Sequence, residues 1–275
     1  MDPATLGGIV VAFGSLLVMA FLEGANPMAL IIPAPMILVL GGAIGVGIAS
    51  TTLPDAILAI KSLPKAFLFK GVKLGADIDR LVELAEVARK QGLLALEAQA
   101  AEVTDPYLKK ALQNVADGMD ADELRIMMED EAAAKEKTAR SAAKFFNSLG
   151  GFAPTVGIIG TVVSLTHVLE NLSNPAGLGH SIAGAFVATL WGVMSANFIW
   201  LPIGGRLGKV ADLEAERYTV LVEGVMAVQS GAQPRVLGDK LRAMVPESQL
   251  GKAADKGAEK AAKPAKAAKT AEAAA

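Results

Sequence analysis

The sequence has no cysteine, only two histidines, and no lysine or arginine in residues 1–60 and 145–205. Without cysteine the chain forms no disulfide and offers no thiolate to a zinc site or as a nucleophile. The Walker, HExxH and GxSxG motifs are also missing, and we interpret His167 and His180 as ordinary interfacial residues rather than metal ligands. These absences argue against an enzyme, and neither a cofactor nor a metal is predicted.

The regions without basic residues contain four long apolar runs, each close to the ~20 residues that a helix needs to cross a bilayer. The lysines and arginines lie instead in 61–144 and 206–269, and basic segments remain on the cytoplasmic side of a membrane. The pattern predicts an all-α, polytopic protein of the inner membrane with four transmembrane helices, a helical cytoplasmic domain and cytoplasmic termini. The apolar runs are 6–22, 29–53, 151–168 and 182–204.

The charge of the chain is nearly balanced. A formal net charge of −2 and an aromatic content of 5% provide neither the basic patch nor the stacking side chains that nucleic-acid binding requires. We therefore expect the lipid bilayer as a partner, and no nucleic acid.

The alternation of apolar and charged segments predicts the domain organisation. In the cytoplasmic domain, an amphipathic helix ends at Pro64, Gly92 separates two helices, and a longer helix starts at Asp120 or Asp122 and leads into the third span. In the second span, small residues predict a packing face at Gly42, Ala43, Val46 and Gly47. The predicted segments are transmembrane helices 1 and 2 (1–53), a cytoplasmic helical domain (54–149), transmembrane helices 3 and 4 (150–205), a cytoplasmic C-terminal helix (206–250) and a disordered Ala/Lys-rich tail (251–275).

The predicted spans contain no carboxylate near the membrane centre, since Glu23 and Glu170 lie at the outer boundary. Ion-coupled proteins usually place an acid inside the helical bundle. Two hydroxyls do lie inside the spans, Thr161 in the third and Thr189 in the fourth. They either bond back to their own helices and pack there, or they line a polar path whose acid comes from a partner.

Two prolines lie near the ends of the last two spans. Pro154 opens the third span, where a missing N–H costs little in a first helical turn. Pro202 lies at the cytoplasmic end of the fourth span, before a helix that continues, and therefore predicts a kink. Each proline either only marks a helix end or kink, or couples conformational changes in the membrane part to the cytoplasmic part.

Arg89 and Glu97 lie on either side of Gly92 in the cytoplasmic domain. Such a pair is usually two solvated charges on a helical surface. Taken alone, the pair predicts no function.

Taken together, these features resemble the MotA/PomA family, the four-span stator subunits of the bacterial flagellar motor. The resemblance covers about residues 1–245 and rests on the short outer links, the long insert between spans two and three, and the charges around Gly92. It also rests on three sequence runs: Ala153-Pro154-Thr155-Val156-Gly157-Ile158-Ile159-Gly160-Thr161, Thr189-Leu190-Trp191-Gly192, and the ending Asn197…Leu201-Pro202.

The resemblance implies a pentamer around two copies of a MotB/PomB-type single-span partner, whose transmembrane Asp carries the ion. By the same resemblance, Thr161 and Thr189 face that Asp, and Pro154 and Pro202 couple ion passage to motion. The resemblance also implies that the charged residues Arg89 and Glu97 contact the rotor protein FliG, and that the complex converts H⁺ or Na⁺ flow into torque.

Three points leave alternatives open. Ala188 precedes Thr189 where many family members have a second threonine, so both H⁺ and Na⁺ remain candidates. An ExbB/TolQ-like ion-driven energiser of envelope processes is the alternative function, although that family has three spans and an external N-terminus. A passive membrane scaffold is the third hypothesis, in which the two threonines only pack.

Overall fold

The computed structural model describes residues 3–170 and 175–250. Within these residues the backbone forms helices and turns and no strand, which confirms the predicted all-α class. The predicted tail 251–275 lies outside the described residues. The helices are α1 (Pro3–Leu22), α2 (Pro33–Ala49), α3 (Leu53–Leu68), α4 (Leu74–Gln91), α5 (Leu96–Glu102), α6 (Pro106–Ala116), α7 (Ala121–Glu170), α8 (Pro175–Ser195), α9 (Leu201–Gln229), α10 (Pro234–Ala243) and α11 (Glu247–Leu250).

Three helical stretches in the described part of the chain are long and apolar enough to cross a membrane. They lie in Thr5–Leu22, Ala121–Glu170 and Gly177–Gln229. A fourth apolar helix, α2, is shorter at 17 residues, and it begins at Pro33, which suits a first helical turn. The predicted four spans are compatible with these helices.

The buried face of α2 differs in one position from the predicted one. Its buried residues recur every fourth position, and this stripe includes Ala43 and Gly47. Gly42 packs against Val156, whose Cγ1 would lie 2.9 Å from a Cβ added at Gly42. Val46 is 43% exposed, so its inclusion in the packing face was wrong. Val46 lies three positions after Ala43 and on the same side of the helix, but the described neighbours of α2 do not cover it.

The chain divides into two compact units. The first unit contains Met1–Gly71 and Glu136–Asp212, and the second contains Val72–Lys135 and Leu213–Ala275. The apolar helices α1 and α2 belong to the first unit. The second unit has a core of its own, in which the residues that the helical period predicted to be apolar are buried: Ile78, Leu81, Leu84, Ala85 and Ala88.

A charged cluster joins three helices of the second unit. Arg217 of α9 donates from Nε to Asp77 Oδ2 over 2.6 Å, and its Nη1 pairs with Asp105. Asp105 also caps α6, since it accepts a bond from the backbone N–H of Tyr107 at 2.8 Å. Burial opposes both charges, yet the pairing lowers the pKa of the Asp105 carboxyl and raises that of the Arg217 guanidinium.

Two predicted boundaries are corrected by the helices. Pro64 lies inside α3, which continues to Leu68 because a proline removes only one backbone bond and buried Ala59 and Ala66 pack on both sides of it. The segment 206–250 contains the end of α9 followed by two further helices rather than one helix. The break follows from Gly231, whose φ is +72°, and from Pro234 in the first turn of α10.

Candidate functional site

The first unit brings α7 and α8 into backbone contact at two glycines. A Cβ added at Gly157 would lie 2.8 Å from the carbonyl oxygen of Ala188 and 3.1 Å from the Cα of Gly192. A Cβ added at Gly192 would lie 2.9 Å from the carbonyl oxygen of Ala153. A side chain at either position would force the two helices apart, because small residues are what allow apolar helices to approach this closely.

The two predicted hydroxyls meet beside this contact. The Oγ1 atoms of Thr161 and Thr189 are 2.5 Å apart. The hydroxyl oxygen of Thr161 is also 3.0 Å from the carbonyl oxygen of Ala185 and 3.1 Å from that of Gly157. Thr161 therefore bonds within its own helix, as the packing hypothesis states, and also pairs across helices, as the polar-path hypothesis requires.

The number of hydroxyl protons determines which hydrogen bonds this pair can make to a third group. Each threonine hydroxyl carries one proton and two lone pairs, so only one of the three neighbouring oxygens receives the Thr161 proton. If Thr189 donates to Thr161, then Thr161 donates to a backbone carbonyl, and the lone pairs of Thr189 Oγ1 are available as acceptors. An acceptor of this kind can bind a protonated carboxyl group or a cation.

The two carboxylates at the outer ends of the predicted spans make no contact with this hydroxyl pair among the described residues. Glu23 and Glu170 are both exposed and lie at helix ends. Among the described residues, no group of three or more His, Asp or Glu side chains has the arrangement that would hold a metal ion. Within residues 3–170 and 175–250, the pair of hydroxyls therefore has no carboxylate partner.

The position of Pro154 corrects one expectation. Pro154 lies in the interior of the 50-residue helix α7, not in its first turn. The helical pattern of 120–144 and the apolar run 151–168 join without a break, so the proline leaves the carbonyl of Gly150 without its usual donor. The Cα of Pro154 would lie 3.3 Å from a Cβ added at Gly192. The turn of α7 that lacks this hydrogen bond therefore lies at the glycine contact.

The expected irregularity near Pro202 takes the form of a π-helix. Residues Ala196–Trp200 form one π-helical turn between α8 and α9. Pro202 has no N–H to donate to the carbonyl of Phe198, and its ring crowds that carbonyl. A π-helical turn next to the proline accommodates both the lost hydrogen bond and the crowding. The sequence indicated a kink, but only the structure identifies its geometry.

The charged residues Arg89 and Glu97 lie on the surface of the second unit. Arg89 is in the last turn of α4 and Glu97 in the first turn of α5. Both side chains are exposed, and within the described part of the chain neither makes an ion pair. Between them, Gly92 ends α4 with a φ of +86°, and Leu94 is 71% exposed.

Two polar residues of the first unit make contacts that the sequence patterns did not predict. The indole Nε1 of Trp191 donates to the carbonyl oxygen of Leu30 at 2.8 Å, which ties α8 to the turn before α2. Ser195 is fully buried and donates to the carbonyl of Gly192 at 3.3 Å. The signal for Trp191 was available, because a buried indole N–H requires an acceptor.

Comparison with known proteins finds relatives over nearly the whole chain. The profile of the MotA/TolQ/ExbB proton channel family matches residues 99–219. The chain is 35% identical to motility protein A of Bacillus subtilis (strain 168), covering 94% of this chain and 96% of that protein. It is 32% identical to chemotaxis protein PomA of Vibrio alginolyticus, covering 88% and 94%. The solved flagellar MotAB stator complex from Bacillus subtilis is similar with a TM-score of 0.82 at 32% identity, covering 90% of this chain and 97% of that chain.

Proposed function

The chain belongs to the MotA/PomA family, and we propose on that premise that it works as a stator subunit that couples ion flow to torque in the bacterial flagellar motor. The observation that supports this most is the contact of Thr161 with Thr189 beside two glycines, in spans that contain no central acid. A pair of hydroxyls supplies neutral oxygen ligands for an ion but no negative charge, so the site needs a carboxylate from elsewhere. That carboxylate is the transmembrane Asp of a MotB/PomB-type single-span partner.

Thr161 and Thr189 form the ion pathway of this chain. When the partner's Asp is protonated or binds a cation, the Thr189 oxygen accepts a bond from the acid or coordinates the ion. When the ion leaves, the hydroxyl of Thr189 rotates and donates a hydrogen bond to the remaining carboxylate. The transported ion is H⁺ or Na⁺, because a hydroxyl pair serves either one.

Pro154 and Pro202 are the points of conformational coupling. Pro154 lies at the glycine contact, and Pro202 follows a π-helical turn on the helix that leads away from Thr189. Both positions lack a backbone donor, so each helix bends there at a lower cost than elsewhere. A change at the hydroxyl pair therefore has two places where helix direction can respond.

Arg89 and Glu97 form the contact with the rotor protein FliG, and exposed Leu94 adds an apolar centre to that surface. The charges are suited to orient a charged partner. The working assembly is a pentamer around two partner chains in the inner membrane, with both termini in the cytoplasm. The chain needs no cofactor and is not an enzyme. An ExbB/TolQ-like energiser is not favoured, since the relatives that match most of the chain are motility proteins.

Gene deletion followed by complementation tests this function. Loss of the chain is expected to leave cells with filaments that do not rotate, and the full chain restores rotation only together with its partner. Swimming speed measured against external sodium then identifies the ion. Deletion strains that swim normally, while envelope processes fail, would support the ExbB/TolQ alternative.

The absence of cysteine makes the topology directly measurable. Single cysteines at Ala25 and Lys209 report the two sides of the membrane. A membrane-impermeant maleimide is expected to label intact cells at position 25 and to label position 209 only after permeabilisation.

A further inference from the structure

A groove runs between α1 and the start of α9 in the first unit. Its volume is about 410 Å³. Gly8, Ile9 and Ala12 form one wall, while Phe198 and Pro202 form the other, with Arg206 also lining the groove. None of these residues except Pro202 has a place in the ion path or the coupling described above.

The groove exists because of specific residues in both walls. Ala12 lies four positions after Gly8 and three after Ile9, so the three residues share one face of α1. A Cβ added at Gly8 would meet no atom within 4 Å, which shows that this glycine leaves open space. The rings of Phe13 and Phe198 pack edge to face with centroids 5.4 Å apart, and this contact holds α1 against the π-helical turn.

The single cation of the groove lies at the level where the apolar span ends. Residues 145–205 contain no basic residue, and Arg206 is the first one after them. In the proposed topology α1 and α9 run in opposite directions. Because Phe13 is level with Phe198, Thr5 is level with Arg206, about 12 Å further along the helix axis. The groove therefore extends from the cytoplasmic interface into the apolar layer.

We propose that this groove binds one anionic phospholipid of the cytoplasmic leaflet. An acyl chain lies along Gly8, Ala12 and Phe198, and the lipid phosphate pairs with Arg206. Guanidinium groups present several N–H donors in a geometry that suits phosphate, and the cytoplasmic leaflet supplies anionic headgroups. The inference rests on the topology proposed above.

The cation of the groove selects the lipid over an apolar helix from a second copy of the chain. An anionic phospholipid brings both an acyl chain for the apolar walls and a phosphate for Arg206, whereas an apolar transmembrane helix brings no phosphate. A single acyl chain is thinner than a helix and leaves the walls in place.

Native mass spectrometry of the full chain in mild detergent tests the proposal. The protein is titrated with phosphatidylglycerol or phosphatidylcholine of identical acyl chains, and bound lipids are counted per copy. Gly8→Leu fills the groove, whereas Gly7→Leu is the matched control, because residue 7 does not line the groove and a Cβ there also meets nothing within 4 Å. Arg206→Gln removes the cation.

The wild-type chain is expected to retain one phosphatidylglycerol per copy in preference to phosphatidylcholine. Gly8→Leu loses it, Gly7→Leu keeps it, and Arg206→Gln weakens phosphatidylglycerol binding about tenfold, the effect of one charge-assisted contact. Equal binding of the two lipids by the wild type, or unchanged binding by Gly8→Leu, overturns the proposal. A changed oligomer mass in Gly8→Leu with unchanged lipid count assigns the groove to a second copy instead. None of these readouts depends on swimming, so the stator function is tested separately.

Discussion

The hydroxyl oxygens of Thr161 and Thr189 lie 2.5 Å apart, although the residues are 28 positions apart in the chain. Their contact depends on the backbone approach of Gly157 to Gly192, four residues before Thr161 and three after Thr189. A helical turn is 3.6 residues, so the glycines and the threonines occupy the same seam of two helices. The close approach of the two helices along this seam sets the distance between the hydroxyls. Substitutions in the seam therefore test whether that distance matters for swimming.

Gly157→Ala is expected to separate the hydroxyls and stop swimming. The added methyl would lie 2.8 Å from the Ala188 carbonyl oxygen, so the helices must move apart at a cost of about 1–3 kcal/mol. Swimming assays and thermal unfolding of the purified chain measure the two effects. Gly151→Ala is the control, because residue 151 is exposed and its added Cβ meets nothing within 4 Å. If the two variants swim and unfold alike, the close approach at Gly157 is not required for function.

Pro202→Ala is expected to shorten the π-helical turn and slow the motor without loss of membrane insertion. Alanine restores an N–H that can reach the carbonyl of Phe198, so regular α-helix becomes competitive over Ala196–Trp200. Tethered-cell rotation measures torque. Pro234→Ala is the matched control, since Pro234 occupies the first turn of α10, where an N–H has no helical partner. Unchanged torque in Pro202→Ala would show that this proline shapes the helix without coupling ion passage to motion.

Arg89→Glu and Glu97→Lys are expected to lower torque while the amount of inserted protein stays the same. Reversed charges repel a rotor surface that complements the native ones, and such changes act mainly on encounter and register. The measurement is rotation speed under load at low expression. Arg235→Glu and Asp239→Lys reverse exposed charges elsewhere in the second unit and serve as controls. Normal torque in both test variants contradicts the rotor-contact role.

The charged cluster around Arg217 predicts how the second unit responds to acid. The pKa of Asp105 in the folded chain is lowered, because its bonds to Arg217 and to backbone N–H groups outweigh burial. The stabilisation is therefore complete above the unfolded-state pKa of about 3.9 and is lost as the pH falls through the folded value.

Asp105→Asn is expected to destabilise the second unit by about 2 kcal/mol at pH 7 and to flatten its pH dependence below about 4. Hydrogen exchange of α4, α6 and α9 measures both effects. Asp130→Asn, at an exposed position, should match the wild type. An acid response in Asp105→Asn as steep as that of the wild type would show that other carboxylates dominate.

Patterns within a single segment were predictable from the sequence, and contacts between distant segments were not. The apolar runs, the buried stripe from Ile78 to Ala88 and the end of α4 at Gly92 follow from local spacing and backbone preference. The sequence identified Thr161 and Thr189 as hydroxyls inside apolar helices, but no spacing rule gives a distance across 28 positions.

The errors have a common physical cause. Pro154 and Pro64 were interpreted as helix boundaries because proline lacks a donor, yet packing on both sides keeps each helix continuous. The bond from Trp191 to the carbonyl of Leu30 spans 161 positions and depends on how α8 packs. Val46 was included in a packing face because it lies on the same side of α2 as Ala43, but contacts with other described helices do not cover it.

The most direct test of the central claim compares Thr189→Val with Thr189→Ser by swimming speed at matched levels of inserted protein. Valine keeps the shape of threonine and removes the hydroxyl, while serine keeps the hydroxyl and removes a methyl. Thr166→Val is the control, because in the described part of the chain the Thr166 hydroxyl bonds to its own helix, at the Val162 carbonyl. We expect Thr189→Val to be non-motile, while Thr189→Ser and Thr166→Val swim. Wild-type swimming by Thr189→Val would contradict the assignment of this hydroxyl to the ion path.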